Sequence, residues 1–329
     1  MIINYQKFKF IMEAIEEIHL PYYKGSAFRG GFGNVFRKIT CILKKQDCTE
    51  CLLKSRCIYA YVFETFPSSS AQIMNMQKYE KIPHPFVIEP PEINSKNSDS
   101  KIYQPGSKFE FHLILIGKAI DYLPYFIYTF HELGKTGIGK GRGRYKILEI
   151  IKCKKDDGEW INEVSIFSHT KKMIKQTQSD TIYIPEEFNI SHSKYNLSLR
   201  FVTPLRIKYM RDLVTMPEFH ILIRNLLRRL LLLYYFHCEG REPQWNHKEI
   251  INHAESVVIE SSKLKWFDWE RYSSRQDTRM KLGGLMGSIT YYGNIESFLP
   301  FIQAGEILHI GKNTSFGLGK YLIDRRNLN

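Results

Sequence analysis

The chain has 329 residues, 43% apolar and 14% aromatic, which is ample for two hydrophobic cores. Lys and Arg number 47 against 34 Asp and Glu, giving a formal charge of +13 and a pI near 9.3. That sign favours a polyanionic partner, most simply nucleic acid, because each neutralised phosphate releases counterions. The opening MIINYQKFKFIMEAIEEI mixes Lys7, Lys9, Glu13 and Glu16 into its apolar residues and is no signal peptide. The most apolar stretch, ILIRNLLRRLLLLYYF (221–236), is broken by Arg224, Arg228 and Arg229, too short and too charged to span a bilayer. A cytoplasmic chain with no membrane partner is expected.

In chain order, FKFIMEA (8–14) alternates as a strand. After Lys24-Gly25, Phe28, Phe32, Val35, Phe36 and Ile39 form one face of a helix, with Arg29, Arg37 and Lys38 off it. Gly30, Gly31 and Gly33 weaken that helix and leave its start open. Cys41, Cys48, Cys51 and Cys57 follow, spaced C-x6-C-x2-C-x5-C. The polar NSKNSDSK (94–101) reads as a surface loop. KFEFHLIL (108–115) alternates again; Leu123, Phe126, Ile127 and Phe130 then fall at helical spacing, followed by the glycine loop 137–145 and a strand, YKILEI. KKDDGE (154–159) marks the expected boundary, giving domains 1–153 and 154–329. The second part repeats the order: the strand NLSLRFV (196–202), an apolar helix over 218–237, MGSITYYG (286–293), a helix from about Asn294, and the terminal loop HIGKNTSFGLGKY (309–321).

The two glycine loops are copies. LPYFIYTFHELGKTGIGKGRGRY (123–145) aligns without a gap on LPFIQAGEILHIGKNTSFGLGKY (299–321), at an offset of 176 residues. Leu-Pro falls on Leu-Pro, Gly141 on Gly317, Gly143 on Gly319, Arg144 on Lys320 and Tyr145 on Tyr321. Such a register implies an internal duplication of about half the chain. Strand, helix, strands, helix and strand describe a ferredoxin-like unit, so the fold class is α+β with two such domains in tandem.

Thiolates at the spacing of Cys41, Cys48, Cys51 and Cys57 converge on one metal more readily than they pair as intracellular disulfides. A closed tetrahedral zinc site is the first choice, since four sulfurs leave no open position for chemistry. C-x2-C-x5-C also resembles the tail of iron–sulfur motifs in some DNA-processing nucleases, which leaves a [4Fe–4S] cluster as an alternative and an empty vestigial site as another. Cys153 and Cys238 read as ordinary buried thiols.

Tandem ferredoxin-like units with a glycine loop before the last strand resemble the RAMP superfamily of CRISPR proteins. Seven blocks in order resemble its Cas6 branch, the precursor-RNA processing endoribonucleases: LPYYKGSAFRGGFGNVFRKITC, the cysteine cluster, PHPFVIEPP, AIDYLPY, GIGKGRGRY, WFDWERYSSRQ and LHIGKNTSFGLGKY. The resemblance implies binding of CRISPR repeat RNA and its cleavage without a catalytic metal. The 2′-OH beside the scissile phosphate attacks, leaving a 2′,3′-cyclic phosphate and a 5′-OH. CRISPR effector subunits are the implied protein partners.

Such a reaction needs a base, an acid and a cation for the phosphorane charge. Cas6 enzymes commonly carry a histidine on or just after the first helix; residues 20–60 contain none, and His19 precedes the helix. His309, two residues before Gly311, is the replacement candidate, with a helix-end histidine packed against the core as the alternative. Tyr22 or Tyr23 would serve as acid or orienting group, and Lys24 or Lys312 would meet the phosphate. Gly311, Gly317 and Gly319 would let backbone N–H groups approach phosphates, with Lys312, Lys320, Thr314 and Ser315 beside them. Lys140, Arg142 and Arg144 do the same on the first loop. In WFDWERYSSRQ (266–276), Trp266, Trp269 and Tyr272 would stack on bases while Arg271 and Arg275 pair with phosphates, or a buried tryptophan pair would explain the aromatics. Arg224, Arg228 and Arg229 read as a solvated helix edge, with addition to a basic face as the alternative. Two rivals remain: a non-catalytic RAMP subunit that binds guide RNA in an effector complex, and a zinc-containing regulator of duplex DNA, which leaves the duplicated loops without a role.

Overall fold

The computed structural model of the protein describes residues 1–44, 46–67, 81–91, 101–171, 173–189, 191, 193–238, 241, 243, 245–273 and 278–325, with 270–273 and 278–281 as backbone alone. The alternation in FKFIMEA continues into a longer strand, β1 (Ile2–Ala14), which buries Phe8, Phe10, Met12 and Ala14. Helix α1 (Gly25–Thr40) buries Phe28, Phe32, Val35 and Phe36, the face read from its spacing. Gly33 is used for close approach: a Cβ there would lie 2.1 Å from the Phe63 ring. That tertiary contact outweighs the propensity cost of about 1 kcal/mol for a glycine in a helix. Strands β2 (Phe86–Glu89) and β3 (Lys108–Ile116), helix α2 (Leu123–Thr136), and strands β4 (Tyr145–Asp156) and β5 (Glu159–Ser168) follow.

These strands form an antiparallel sheet in the order β2-β3-β1-β4-β5. The first four have the ferredoxin-like order, and an aromatic core joins them to both helices. Phe32 of α1 stacks on Phe126 of α2 at 4.9 Å, and Phe111 of β3 meets Phe130 of α2 at 4.6 Å. The boundary expected at 153/154 is corrected here. Asp156 pairs with Glu159 across Asp157-Gly158, both at positive φ, so KKDDGE is the tip of a two-residue hairpin inside the first sheet. The compact units are instead Ile3–Thr181 with Leu232–Gly240, and Met1–Ile2 with Ile182–Leu231 and Arg241–Asn329.

The second unit repeats the plan with β6 (Tyr195–Leu205), α3 (Phe219–His237), α4 (His247–Glu255), β7 (Val258–Ser262), β8 (Gly284–Gly293), α5 (Leu299–Leu308) and β9 (Tyr321–Asp324). Its antiparallel sheet runs β7-β8-β6-β9, the same ferredoxin-like order. The duplicated segments keep corresponding features. Both α2 and α5 begin with proline in the first turn, and the buried tyrosine opening each final strand donates to a helix carbonyl, Tyr145 to Phe130 and Tyr321 to Ile302. Among the described residues no helix is long and apolar enough to cross a membrane. Most of NSKNSDSK lies outside the described residues.

Candidate nucleic-acid interface

The terminal glycine loop is clamped onto the end of β6. Gly319 N donates to Pro204 O at 3.1 Å, Thr203 Oγ1 donates to Gly317 O at 2.9 Å and accepts from Lys320 N at 2.8 Å, and Lys312 N donates to Arg206 O at 2.8 Å. Gly319 has φ +72°, and a Cβ there would sit 1.8 Å from Ile310 O. Glycine is needed because the loop folds against itself and the strand, not to open a cradle of N–H groups. Thr314, Ser315, Gly317 and Gly319 are all buried, which corrects their assignment as RNA contacts. Gly311 and Lys320 are half-buried, and Lys312 is exposed.

His309 ends α5 at φ +63° with its ring fully buried and Nδ1 3.1 Å from Leu318 O. A proton-transfer group must reach the reacting atoms. His309 is the helix-end histidine packed in the core, and its catalytic assignment is corrected to a structural one. Arg229 is corrected as well. Rather than edging a solvated helix, it is buried and donates from Nε to Leu308 O at 3.1 Å and His309 O at 3.0 Å, and from Nη2 to Leu308 O at 2.7 Å. It serves carbonyls that the end of α5 leaves without helical partners. Burial pushes its guanidinium pKa down to about 9, so it still carries its charge at neutral pH.

Around this clamped loop sits a cluster of cations. The Lys312 ammonium is held below its ordinary value by burial first, then by Lys208, Arg206 and Arg228. Lys208 and Arg228 are exposed; Arg206 is half-buried and donates Nη1 to Gly283 O at 2.7 Å. Like charges gathered without an acidic group among those acting on Lys312 suit a polyanion. Sequence reasoning found Lys312 and missed Arg206 and Lys208, although their alternation at the end of a strand was a usable signal.

The first glycine loop is a short hairpin, with Ile138 bridged to Gly143 and Lys140 bridged to His19. Lys140, Arg142 and Arg144 are exposed. Arg144 is 2.6 Å from Glu16, while Lys140 and Arg142 form no ion pair among the described residues. Tyr23 and Lys24 are 2% and 3% exposed, too enclosed to meet a substrate, so their catalytic assignment is also corrected. Burial, then the Glu89 charge, drives the Tyr23 hydroxyl pKa up, and Glu89 pairs with buried Lys7 at 2.7 Å. Tyr22 is exposed. Trp266 is half-exposed and donates Nε1 to Asp268 at 2.7 Å; Arg271 lies on a strand described as backbone, and Arg275 lies outside the described residues.

The four thiols Cys41, Cys48, Cys51 and Cys57 are all unpaired and half-buried. Burial raises the Cys48 thiol pKa; Glu64, Cys41 and Cys57 push the same way against Arg37. Cys41, Cys48 and Cys57 therefore share one neighbourhood. Among the described residues no three His, Cys, Asp or Glu side chains are gathered tightly enough to hold a metal ion.

A family model described as CRISPR-associated endoribonuclease Cas6 matches residues 199–321, and the AF_1859_N N-terminal domain matches residues 3–179, in step with the two units. An uncharacterized protein of Archaeoglobus fulgidus is 25% identical over 318 residues, 93% of each chain. A Cas6 product complex aligns over 97% of this chain and 99% of its own at 12% identity, with a TM-score of 0.53. Thermus thermophilus Cas6 aligns over 98% of both chains at 12% identity, with a TM-score of 0.50. At such identity the structural likeness is one of fold. The chain carries the AF_1859_N N-terminal domain over more than half of its length and joins it to a domain of the CRISPR-associated endoribonuclease Cas6 family.

Proposed function

We propose that the protein binds CRISPR repeat RNA and cuts precursor transcripts through attack of a 2′-OH, leaving a 2′,3′-cyclic phosphate and a 5′-OH. The observation that carries this reading is the convergence of Arg206, Lys208 and Arg228 on Lys312 at the rim of the terminal loop. Four cations there match a phosphate chain better than any neutral ligand. Lys140 and Arg142 supply a second basic point on the first loop. Because the 2′-OH is itself the nucleophile, no metal is required for the chemistry. A structural metal at Cys41, Cys48, Cys51 and Cys57, zinc first and a [4Fe–4S] cluster second, belongs to the same reading; its support is the shared neighbourhood of Cys41, Cys48 and Cys57. Such a group would brace the segment after α1 and offer no open coordination position. CRISPR effector subunits are the proposed recipients of the processed RNA.

The test is binding and cleavage of end-labelled repeat RNA from the host's own CRISPR array. Lys312→Ala with Arg206→Ala should weaken binding and lower the salt slope by about 0.7 per lost contact to a single strand. An unchanged slope would remove the terminal loop from the RNA path.

A further inference from the structure

His19 stands on a two-residue strand, Ile18–His19, between buried Ile18 and Leu20, with its side chain 43% exposed. It is paired on both edges, with Ile102 on one side and Lys140 on the other. Directly opposed residues of antiparallel pairs share a face, their Cβ atoms about 5 Å apart. Lys140, His19 and Ile102 therefore form a row on one exposed face. The first glycine loop is held against this strand with no room for a side chain. A Cβ on Gly139 would lie 2.1 Å from His19 O, and one on Gly143 would lie 2.2 Å from Glu17 O. That contact fixes the cationic tip, Lys140 to Arg142, beside the imidazole.

The ring is also oriented. Its Nε2 is 2.5 Å from Glu17 Oε1, and Glu17 Oε2 accepts from Gln104 Nε2 at 2.9 Å. A carboxylate held from both sides fixes the tautomer with the proton on Nε2. That leaves the Nδ1 lone pair without a partner among the described residues.

We propose that His19 is the general base of RNA cleavage, with Glu17 and Gln104 as its positioning residues and Lys140 and Arg142 opposing the phosphorane charge; this rests on the reading that the protein cuts RNA. In the step, the 2′-OH proton passes to Nδ1 of His19 as the 2′-oxygen bonds to phosphorus. The P–O5′ bond breaks, and the departing 5′-oxygen takes a proton from water. The imidazolium returns its proton to solvent, and Glu17 stabilises that cation while it lasts.

The experiment is single-turnover cleavage of labelled repeat RNA in EDTA, with a matched RNA carrying 2′-deoxy at the scissile sugar. Wild type should cut the first and not the second. His19→Ala should lower the rate 10²–10⁴-fold at unchanged RNA affinity, and added imidazole should restore part of it. Glu17→Ala should lower the single-turnover rate at saturating protein about tenfold or more without raising the protein concentration that half-saturates it, and Glu17→Gln, which still accepts from Nε2, should recover most of the loss. If wild type cuts and His19→Ala cuts within about threefold of it, the assignment of His19 is overturned while the cleavage reading stands. If wild type leaves the RNA intact, both fall together.

Discussion

Replacing Arg229 with methionine should destabilise the protein without touching a residue that meets RNA. The side chain makes three hydrogen bonds to two carbonyls, Leu308 O and His309 O, where α5 turns into the terminal loop. Methionine fills similar volume and donates nothing. Each buried carbonyl left without its donor costs about 1–3 kcal/mol. Relief of a buried guanidinium, whose burial shows in its lowered pKa, offsets part of that. The net loss should be about 2–4 kcal/mol, a fall of roughly 6–12 °C in apparent Tm for a unit of this size. Arg224→Met is the control: that arginine is exposed, 3.2 Å from Glu255, and such a pair is worth about 0–1 kcal/mol. Calorimetry of the two variants beside wild type decides the matter. An Arg229→Met Tm within about 2 °C of the Arg224→Met Tm would refute the clamp.

His309→Ala should lower stability by about 1–3 kcal/mol through its lost bond to Leu318, yet leave cleavage at 25 °C within about threefold of wild type in a single-turnover assay. Gly319→Ala should cost far more in chemical denaturation than Gly141→Ala. Both backbones are left-handed, a strain of about 1–2 kcal/mol for alanine, but only Gly319 also meets backbone at 1.8 Å. Elemental analysis of protein purified anaerobically should return about one zinc per chain, and Cys48→Ser should lower solubility while leaving the cleavage position unchanged; protein free of both zinc and iron would remove the metal from the account.

Most of the architecture was legible because both halves carry strong periodicities and a gapless repeat. Phe8, Phe10 and Met12 alternate, Phe28, Phe32 and Phe36 recur at helical spacing, and tertiary packing then reinforces each pattern. The misread places are those decided by distant partners. Arg229 sits one position from exposed Arg228, and only the end of α5, 80 residues away, determines that it turns inward. His309 looks like the entrance to an open loop, but a left-handed cap turns it into the core. Asp157-Gly158 has the composition of a linker, while the ladder from β4 to β5 makes it a hairpin tip. The glycines of the terminal loop were legible as glycines. What they permit, close packing on Thr203 and Pro204, was not, since β6 lies more than a hundred residues earlier.

The most direct test is the fate of the host's CRISPR repeat RNA incubated with pure protein in excess EDTA. The account predicts one cut per repeat, a 2′,3′-cyclic phosphate on the upstream fragment, a 5′-OH on the downstream one, and no cut when the scissile sugar is 2′-deoxy. RNA that is bound with salt-sensitive affinity and stays whole would contradict it, and would make the protein a guide-RNA binding subunit rather than a nuclease.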